Sequence, residues 1–285
     1  MTGNILEAIT ENYHSFTRSG KKLADYIFNH SSDAQYLSIS ALAEESGVSE
    51  ATITRFCHGL GLSGYNDFKL ALAKSSYVTD LGEPLSSPQT ITSEDSLGTI
   101  IQKIHASNVI SLNETMDLID EAKLDKAINL IVAAERVYCF GHGGSMVMAM
   151  EAWARFSTAS SKFIHIEDSH MQAITASLTT PKDVILFFSY SGSTKDMEDI
   201  MIIAHERNVP IILITHFPKS RGTEFADVVL LIGYNESPLQ SGSVPAKVSQ
   251  LFLIECLYYG FCKKNPELVS QSRTMTAEAV AKKLL

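Results

Sequence analysis

Five short apolar runs alternate with helical patterns over the second half of the chain, and this alternation restricts the fold more than any other feature. The runs are Arg136–Phe140, Phe163–Ile166, Val184–Ser189, Ile211–Thr215 and Val228–Ile232. Continuous apolar runs of this length predict strands buried on both faces, which are typical of parallel sheets. The expected fold of this half is therefore a doubly wound α/β domain with a five-stranded parallel sheet in three αβα layers, which binds ligands at the carboxyl ends of its strands.

Helical patterns occupy the intervals between these runs and the residues before and after them. They are predicted at 97–119, 123–134, Ser145–Ser157, Ser169–Leu178, Lys195–Glu206 and Pro245–Phe261. Residues 1 to about 75 show apolar spacing of the helical kind and no convincing strand pattern, so this part is expected to be all-α.

A helix-turn-helix is predicted over Ser38–Leu62. Ser38 begins a short helix that ends at Gly47, and Ser49 caps a second helix. The small core would contain Leu42, Ala43, Val48, Ile53 and Phe56. A plain helical hairpin of an all-α domain is the alternative interpretation of the same pattern.

The second helix of this motif would enter the major groove of DNA with its N-terminal end. Ser49, Glu50, Thr52 and Arg55 are expected to be exposed there, and Arg55 can pair with a guanine edge or a phosphate. His58, Ser63 and Lys69 are placed to touch the DNA backbone. The charge of residues 1–80 opposes such binding, because nine acidic residues outnumber six Lys and Arg.

A Pro- and Ser-rich stretch between Ser75 and Ser96 keeps neither a helical nor a strand period, which indicates a linker. The predicted organisation is a DNA-binding domain at 1–77, a linker at 78–95 and the α/β domain at 96–285.

The composition describes an ordinary soluble protein, with 45% hydrophobic residues, a net charge of −9 and no apolar stretch long enough for a membrane span. The first residues do not resemble a signal peptide, so a cytoplasmic protein without a membrane partner is expected. The four cysteines lack metal-ligand spacing and are interpreted as free thiols, and no metal or cofactor is predicted.

Two loops rich in small and hydroxyl residues follow predicted strands and open predicted helices. The first contains His142, Gly143 and Ser145, and the second contains Ser189, Ser191, Gly192, Ser193 and Thr194. A helix N-terminus binds anions through free N–H groups and the helix dipole, and hydroxyls add uncharged donors. If the loops face one crevice, a small phosphorylated ligand is the expected guest, whereas a Ser/Gly-rich turn that merely caps a helix is the alternative for the second loop.

Other ligand types fit these loops less well. Met146 stands where a dinucleotide fingerprint has its third glycine, and no phosphate-binding GK[ST] loop occurs in the chain.

Several other polar residues are candidates for the ligand site, and His142 is a candidate ligand contact. Asp168 is most simply a helix N-cap, and the alternative places Asp168, His170 or Gln172 over the sugar part of the ligand. Glu236 and Lys247 are weak acid/base candidates, and Glu236 is retained as an effector-binding candidate.

These motifs together resemble one known family. Gly47-Val48-Ser49-Glu50-Ala51-Thr52-Ile53-Thr54-Arg55-Phe56 resembles the helix-turn-helix of RpiR-type bacterial transcription regulators, and Ser189-Tyr190-Ser191-Gly192-Ser193-Thr194 resembles the sugar isomerase (SIS) domain that follows it there. The resemblance implies a DNA-binding homodimer or homotetramer that senses a phosphorylated sugar. Its recognition helix would run from Ser49 to about Gly59.

The resemblance also implies the residues of the effector site. The phosphate would be held by Ser189, Ser191, Ser193 and Thr194, with Ser145 from the other loop. The effector would be an amino-sugar or hexose 6-phosphate, and the target would be operator DNA of carbohydrate metabolism genes. A SIS-type sugar-phosphate isomerase is the alternative, but the sequence offers no convincing pair of catalytic groups, so no catalytic residue is predicted. A third interpretation is a sensor whose helical half binds protein.

Overall fold

The computed structural model describes residues 4–76, 91–234, 243–281 and 283. Its internal contacts divide the chain into two compact units, and one boundary between them lies between Val109 and Ile110. The predicted linker lies mostly outside the described residues. Among the residues that are described, no helix has both the length and the apolar content needed to cross a membrane.

The described part of the N-terminal unit is helical, as predicted. Its helices are α1 Ile5–Asn12, α2 Arg18–Asn29, α3 Ser31–Ala34, α4 Ile39–Ser46, α5 Glu50–Gly59 and α6 Tyr65–Ser76, followed by α7 Leu97–Leu118, which contains the unit boundary. Leu23, Ile27, Leu42, Ile53 and Phe68 are buried together between α2, α4, α5 and α6. Of the predicted core, Phe56 is also buried, while Ala43 and Val48 are partly buried against it.

The turn between α4 and α5 has the caps that the sequence predicts. Ser38 Oγ accepts a hydrogen bond from the Ala41 amide at 3.1 Å. Gly47 ends α4 in the left-handed conformation, with φ of +62°. Ser49 Oγ accepts a hydrogen bond from the Thr52 amide at 3.2 Å and so satisfies one free donor of α5. These local bonds define the geometry of a helix-turn-helix.

The second unit contains a five-stranded parallel sheet in the order β2-β1-β3-β4-β5. The strands are β1 Val137–Gly141, β2 Phe163–His165, β3 Val184–Phe188, β4 Ile211–Thr215 and β5 Val228–Leu231. The helices of this unit, after the end of α7, are α8 Glu121–Ala133, α9 Gly144–Ser157, α10 Ser169–Leu178, α11 Lys195–Glu206, α12 Val244–Lys264 and α13 Pro266–Ala281.

Alternate residues of each strand face opposite sides of the sheet, because the side-chain period of a strand is two. On one side, Cys139 and Leu186 belong to a core that α8, α9 and α12 cover. On the other side, Phe140 and Phe187 belong to a core that α10 and α11 cover. The three-layer αβα architecture and the five-stranded sheet are confirmed.

Most predicted elements begin or end one to three residues away from their bounds in the structure, as three examples show. Residue Gly141 belongs to β1 although it has no apolar side chain, because its backbone pairs with Phe188 of β3. Ser189 lies beyond β3, and α12 continues to Lys264. Helix α13 was not predicted, since Val269 is its one buried residue among those described.

Candidate functional site

The two predicted loops leave the sheet side by side. Gly141 and Phe188 are register partners at the carboxyl ends of β1 and β3. These strands flank the point where the strand order reverses, since β2 lies on one side of β1 and β3 on the other. Such a switch point opens a crevice outside the carboxyl ends of the strands, where ligands bind in folds of this type. Residues 142–145 and 189–194 therefore begin at the same crevice.

The loop 189–194 is held in shape by its own serines. Ser189 Oγ accepts a hydrogen bond from the Gly192 amide at 3.1 Å, and Ser191 Oγ accepts one from the Ser193 amide at 3.3 Å. Each hydroxyl still has its own proton to donate. A ligand that accepts hydrogen bonds can therefore bind without breaking the bonds that shape the loop.

Neighbouring segments support the same loop from outside. Thr215 Oγ1 donates to the carbonyl of Tyr190 at 3.0 Å, and the Gly222 amide donates to the carbonyl of Gly192 at 2.8 Å. Gly192 has φ of +59°, a left-handed conformation that favours glycine. The supporting role of residues 215–222 is not visible in the sequence, where Thr215 is only the last residue of the predicted strand Ile211–Thr215.

The start of α11 offers donors toward the crevice. Thr194 occupies the N-cap position but makes no capping hydrogen bond with its side chain. Ser193 Oγ is enclosed, and it has no hydrogen-bond partner among the described residues. An enclosed hydroxyl without a partner costs free energy unless a ligand or water satisfies it. The helix N-terminus and this hydroxyl together favour an anionic group that accepts hydrogen bonds.

The glycine loop presents a second helix N-terminus without a side-chain cap. Gly143 is the N-cap residue of α9, and its φ of +54° and ψ of −127° are accessible essentially to glycine alone. At Gly141, a Cβ would lie 2.7 Å from the carbonyl oxygen of Ser145, so the turn back into α9 is too tight for any side chain there. Ser145 lies, half-buried, in the first turn of α9.

His142 and Gln172 are two further polar groups near these loops that have unpaired atoms among the described residues. Neither ring nitrogen of His142 has a hydrogen-bond partner in the described part of the chain. Burial lowers the pKa of His142, although the nearby Asp196 charge and Gln172 oppose that effect. Gln172 is fully buried and donates through Nε2 to the Ile166 carbonyl at 2.7 Å, while its Oε1 has no partner within the described ranges. These atoms can meet hydroxyl groups of a sugar.

The remaining residues that the sequence suggested for the effector site separate into three cases. Asp168 is an N-cap, because its Oδ1 accepts from the Met171 amide at 2.8 Å. His170 is exposed on α10, and Lys247 is half-buried on α12. Glu236 lies outside the described residues.

On the helical unit, the predicted DNA-contacting residues lie along α5 and its flanks. Ser49 and Arg55 are exposed, and Arg55 Nη2 donates to Thr52 Oγ1 at 3.4 Å. Thr52 Oγ1 also lies 2.9 Å from Ser49 Oγ. These three side chains form a connected polar surface at the N-terminal end of α5, the end that reads bases in a helix-turn-helix.

Glu50, His58 and Lys69 have contacts within the protein. Ser40 Oγ donates to Glu50 Oε1 at 2.5 Å, which joins α4 to α5. His58 Nε2 lies 3.2 Å from the Ser63 carbonyl oxygen. Burial lowers the pKa of Lys69 to about 8, and its amine lies 6.0 Å from the centroid of the Tyr65 ring.

A helix-turn-helix followed by an α/β domain with an anion-binding crevice defines a ligand-responsive DNA-binding protein. The family model of the rpiR-type helix-turn-helix domain matches residues 3–77, and the SIS domain model matches residues 130–259. The chain belongs to the RpiR family of helix-turn-helix transcriptional regulators.

Relatives of full length support this assignment. An uncharacterised HTH-type transcriptional regulator from Haemophilus influenzae is 30% identical over 280 residues, which are 98% of this chain and 97% of the relative. The transcriptional regulator HexR of Escherichia coli is 28% identical over 90% of this chain and 88% of its own. The solved structure of the Vibrio vulnificus NanR protein complexed with ManNAc-6P has a TM-score of 0.87 at 30% identity and covers 99% of both chains.

Proposed function

We propose that the protein binds operator DNA of carbohydrate metabolism genes through α5, and that a phosphorylated sugar in the crevice between residues 142–145 and 189–194 changes this binding. The observation that carries the proposal is the meeting of two helix N-termini without side-chain caps at the switch point of the sheet. The NanR relative was solved with ManNAc-6P, which supports an amino-sugar 6-phosphate as the effector.

The phosphate is assigned to the hydroxyls at the start of α11, together with the first turn of α9. The residues are Ser189, Ser191, Ser193, Thr194, Ser145 and the backbone at Gly143. His142 and Glu236 are proposed as further contacts to the effector. A phosphate bound there accepts hydrogen bonds from the backbone N–H groups of two helix N-termini. It also provides an acceptor for the unpartnered Ser193 hydroxyl.

An isomerase would need a positioned base within hydrogen-bond reach of the sugar carbons. His142 is a candidate base among the described residues of the crevice, and burial lowers its pKa. We favour a sensor without catalytic activity, because the full-length relatives are transcriptional regulators. A turnover assay with hexose and amino-sugar phosphates tests this choice, and conversion of any of them at enzymatic rates would refute it.

We also propose the domain bounds and the oligomeric state of the protein. The DNA-binding domain spans 1–77, the linker 78–95 and the effector domain 96–285, in a cytoplasmic homodimer or homotetramer that needs no cofactor. Two recognition helices in a symmetric dimer would read two half-sites. Sedimentation of the full chain with and without operator DNA tests the assembly.

A thermal-shift screen tests the effector site. The probes are N-acetylmannosamine 6-phosphate, N-acetylmuramic acid 6-phosphate and glucose 6-phosphate, with free N-acetylmannosamine and inorganic phosphate for comparison. A ligand at 100 times its Kd adds about 2.7 kcal/mol to the free energy of unfolding. One sugar phosphate is expected to raise the melting temperature and to change retardation of the operator duplex.

The variant Ser191→Ala/Thr194→Ala is expected to lose the shift. Its matched control is Ser270→Ala/Thr274→Ala, which removes an exposed serine and an exposed threonine from α13. A full shift in the first variant would refute the phosphate site, whereas loss of the shift in both would indicate general destabilisation.

A further inference from the structure

A cluster of cations lies at the start of α2. Arg18, Lys21 and Lys22 are spaced i, i+3 and i+4, so they share one face of the helix. The opposite face contains Leu23 and other buried residues of the core. The three cations and Ser19 and Asp25 line an open groove of about 790 Å³. Three of the six Lys and Arg residues of 1–80 are thus concentrated within one and a half helical turns.

This cluster adjoins the turn of the helix-turn-helix. Lys22 Nζ donates to the carbonyl of Gly47 at 3.0 Å, and Gly47 separates α4 from α5. Helix α2 packs against both α4 and α5. The centroid of the Phe16 ring, just before α2, lies 4.7 Å from the centroid of the Phe56 ring of α5. The cations are therefore fixed relative to the helix that enters the groove of DNA.

The position of Arg18 is unfavourable for the helix itself. A helix N-terminus carries partial positive charge, so a cation in the first turn reduces helix stability. No acidic residue occupies the first turn of α2. Neither Arg18 nor Lys21 forms an ion pair within the described residues. A cation that opposes the helix dipole and forms no ion pair in return is typical of a functional site.

The carboxylate of Asp25 is the acidic group that lines the groove, and it has a partner. Tyr13 Oη donates to Asp25 Oδ1 at 2.7 Å. The centroid of the Tyr13 ring also lies 5.7 Å from Lys21 Nζ. The groove has a net positive charge, because three cations line it with one carboxylate. Residues 1–80 as a whole have a net negative charge.

We infer that Arg18 and Lys21 bind phosphates of the DNA backbone next to the major groove that α5 enters, with Lys22 holding the turn in place. The inference rests on the proposed DNA-binding function and adds a contact surface to it. Contacts to phosphates fix the register of a protein on DNA without selecting its sequence. Local concentration of cations also explains how an acidic protein attracts a polyanion.

The test compares the double variant Arg18→Gln/Lys21→Gln with wild type in fluorescence anisotropy titrations of an operator duplex and an unrelated duplex. Lys22 is left unchanged because it anchors Gly47. Each lost phosphate contact reduces the slope of log K against log salt by about 0.9 in magnitude. A decrease of about 2 in the slope is expected, with equal fold-losses of affinity on both duplexes.

Three controls separate the outcomes. Lys123→Gln/Lys182→Gln removes the same charge from exposed positions of the second unit and is expected to keep the wild-type slope. Arg18→Lys/Lys21→Arg keeps the charge and is expected to keep the affinity. Circular dichroism and thermal melting verify that each variant folds.

An unchanged slope in folded Arg18→Gln/Lys21→Gln overturns the inference, as does a loss confined to the operator duplex. Arg55→Ala tests the proposed function separately, and it is expected to weaken operator binding by about 10- to 100-fold. If wild type retards no operator, the proposed function fails. If Arg55→Ala weakens binding and the α2 variant does not, the inference alone fails.

Discussion

The backbone of Gly192 lies directly against the side chain of Ser220. A Cβ placed on Gly192 would lie 2.2 Å from Ser220 Oγ and 3.0 Å from Thr215 Oγ1. Its φ of +59° is also strained for any residue with a side chain. The shape of the hydroxyl loop therefore depends on a residue that contributes no side chain to it.

Gly192→Ala is expected to lower the free energy of unfolding by about 3 kcal/mol, because steric overlap and backbone strain add. Urea denaturation measures this loss, and the sugar-phosphate thermal shift is expected to disappear. Gly98→Ala is the control, since ordinary space surrounds that helical position and the substitution favours helix. The double variant Gly192→Ala/Ser220→Gly is expected to regain part of the stability. A Gly192→Ala protein as stable as wild type would contradict the contact.

Ser193→Ala is expected to separate ligand binding from stability. The Ser193 hydroxyl has no hydrogen-bond partner among the described residues, so its removal breaks no bond of the free protein. The free energy of unfolding is expected to stay within about 0.5 kcal/mol of wild type. Affinity for the sugar phosphate is expected to fall roughly tenfold, the value of one hydrogen bond to a charged group.

Isothermal titration calorimetry measures the affinity of Ser193→Ala. Ser157→Ala serves as the control, because that exposed hydroxyl donates to the Trp153 carbonyl within its own helix. Equal affinities of Ser193→Ala and wild type would exclude Ser193 from the effector site.

Substitutions of Ser49 separate capping from DNA contact. The Ser49 hydroxyl accepts from the Thr52 amide, so Ser49→Ala is expected to reduce stability by about 1 kcal/mol. Ser49→Asp caps equally well, and stability is expected to change by only a few tenths of a kcal/mol. Its negative charge faces DNA phosphates, however, and operator affinity is expected to fall. Thermal melting measures the stability of each variant, and gel retardation of the same samples measures its operator affinity. Undiminished binding by Ser49→Asp would show that Ser49 lies away from the DNA.

The buried amine of Lys69 gives stability a pH dependence. Burial lowers its pKa from 10.5 to about 8, so the unfolded chain binds more protons between those two pH values. The free energy of unfolding therefore rises with pH across this window, by at most about 1.4 kcal/mol per pH unit, and the contribution of Lys69 is constant below pH 8. Lys69→Met removes this slope and is expected to be more stable than wild type at pH 7.

Urea denaturation of wild type and Lys69→Met at pH 7, 8, 9 and 10 measures the difference. The gap between the two proteins is expected to close as the pH rises. Burial also raises the pKa of Cys57 to about 12, which lowers stability above pH 9, but both proteins share that effect. Parallel curves for the two proteins would disprove a desolvated Lys69.

Strands and caps were predictable because their signals are local. The apolar runs identified all five strands, and Ser38, Gly47 and Ser49 identified the turn between α4 and α5. Pairing with another strand is not a local signal, so the apolar run ends at Phe140 although Gly141 belongs to β1. Helix α13 was missed because a largely exposed helix shows little apolar periodicity.

The candidate site was predictable as two loops but not as a set of contacts. The hydroxyl residues of 189–194 were visible in the sequence, whereas the support that Thr215 and Gly222 give to the loop comes from distant segments. The cations of α2 are not visible in the net charge of residues 1–80, which is negative. Their significance comes from helical spacing and from the contact between Lys22 and Gly47.

The pairing of Gly141 with Phe188 also restricts how ligand preference can change during evolution. Both loops start from one rung of the sheet, so a single-residue insertion in β1 or β3 would shift one loop by about 3.3 Å relative to the other and reverse which side chains face each layer. New specificities on this scaffold are therefore expected to arise from substitutions within the loops at constant strand length. Substitutions at position 142 are therefore expected to alter ligand choice, whereas changes of strand length are expected to lower stability.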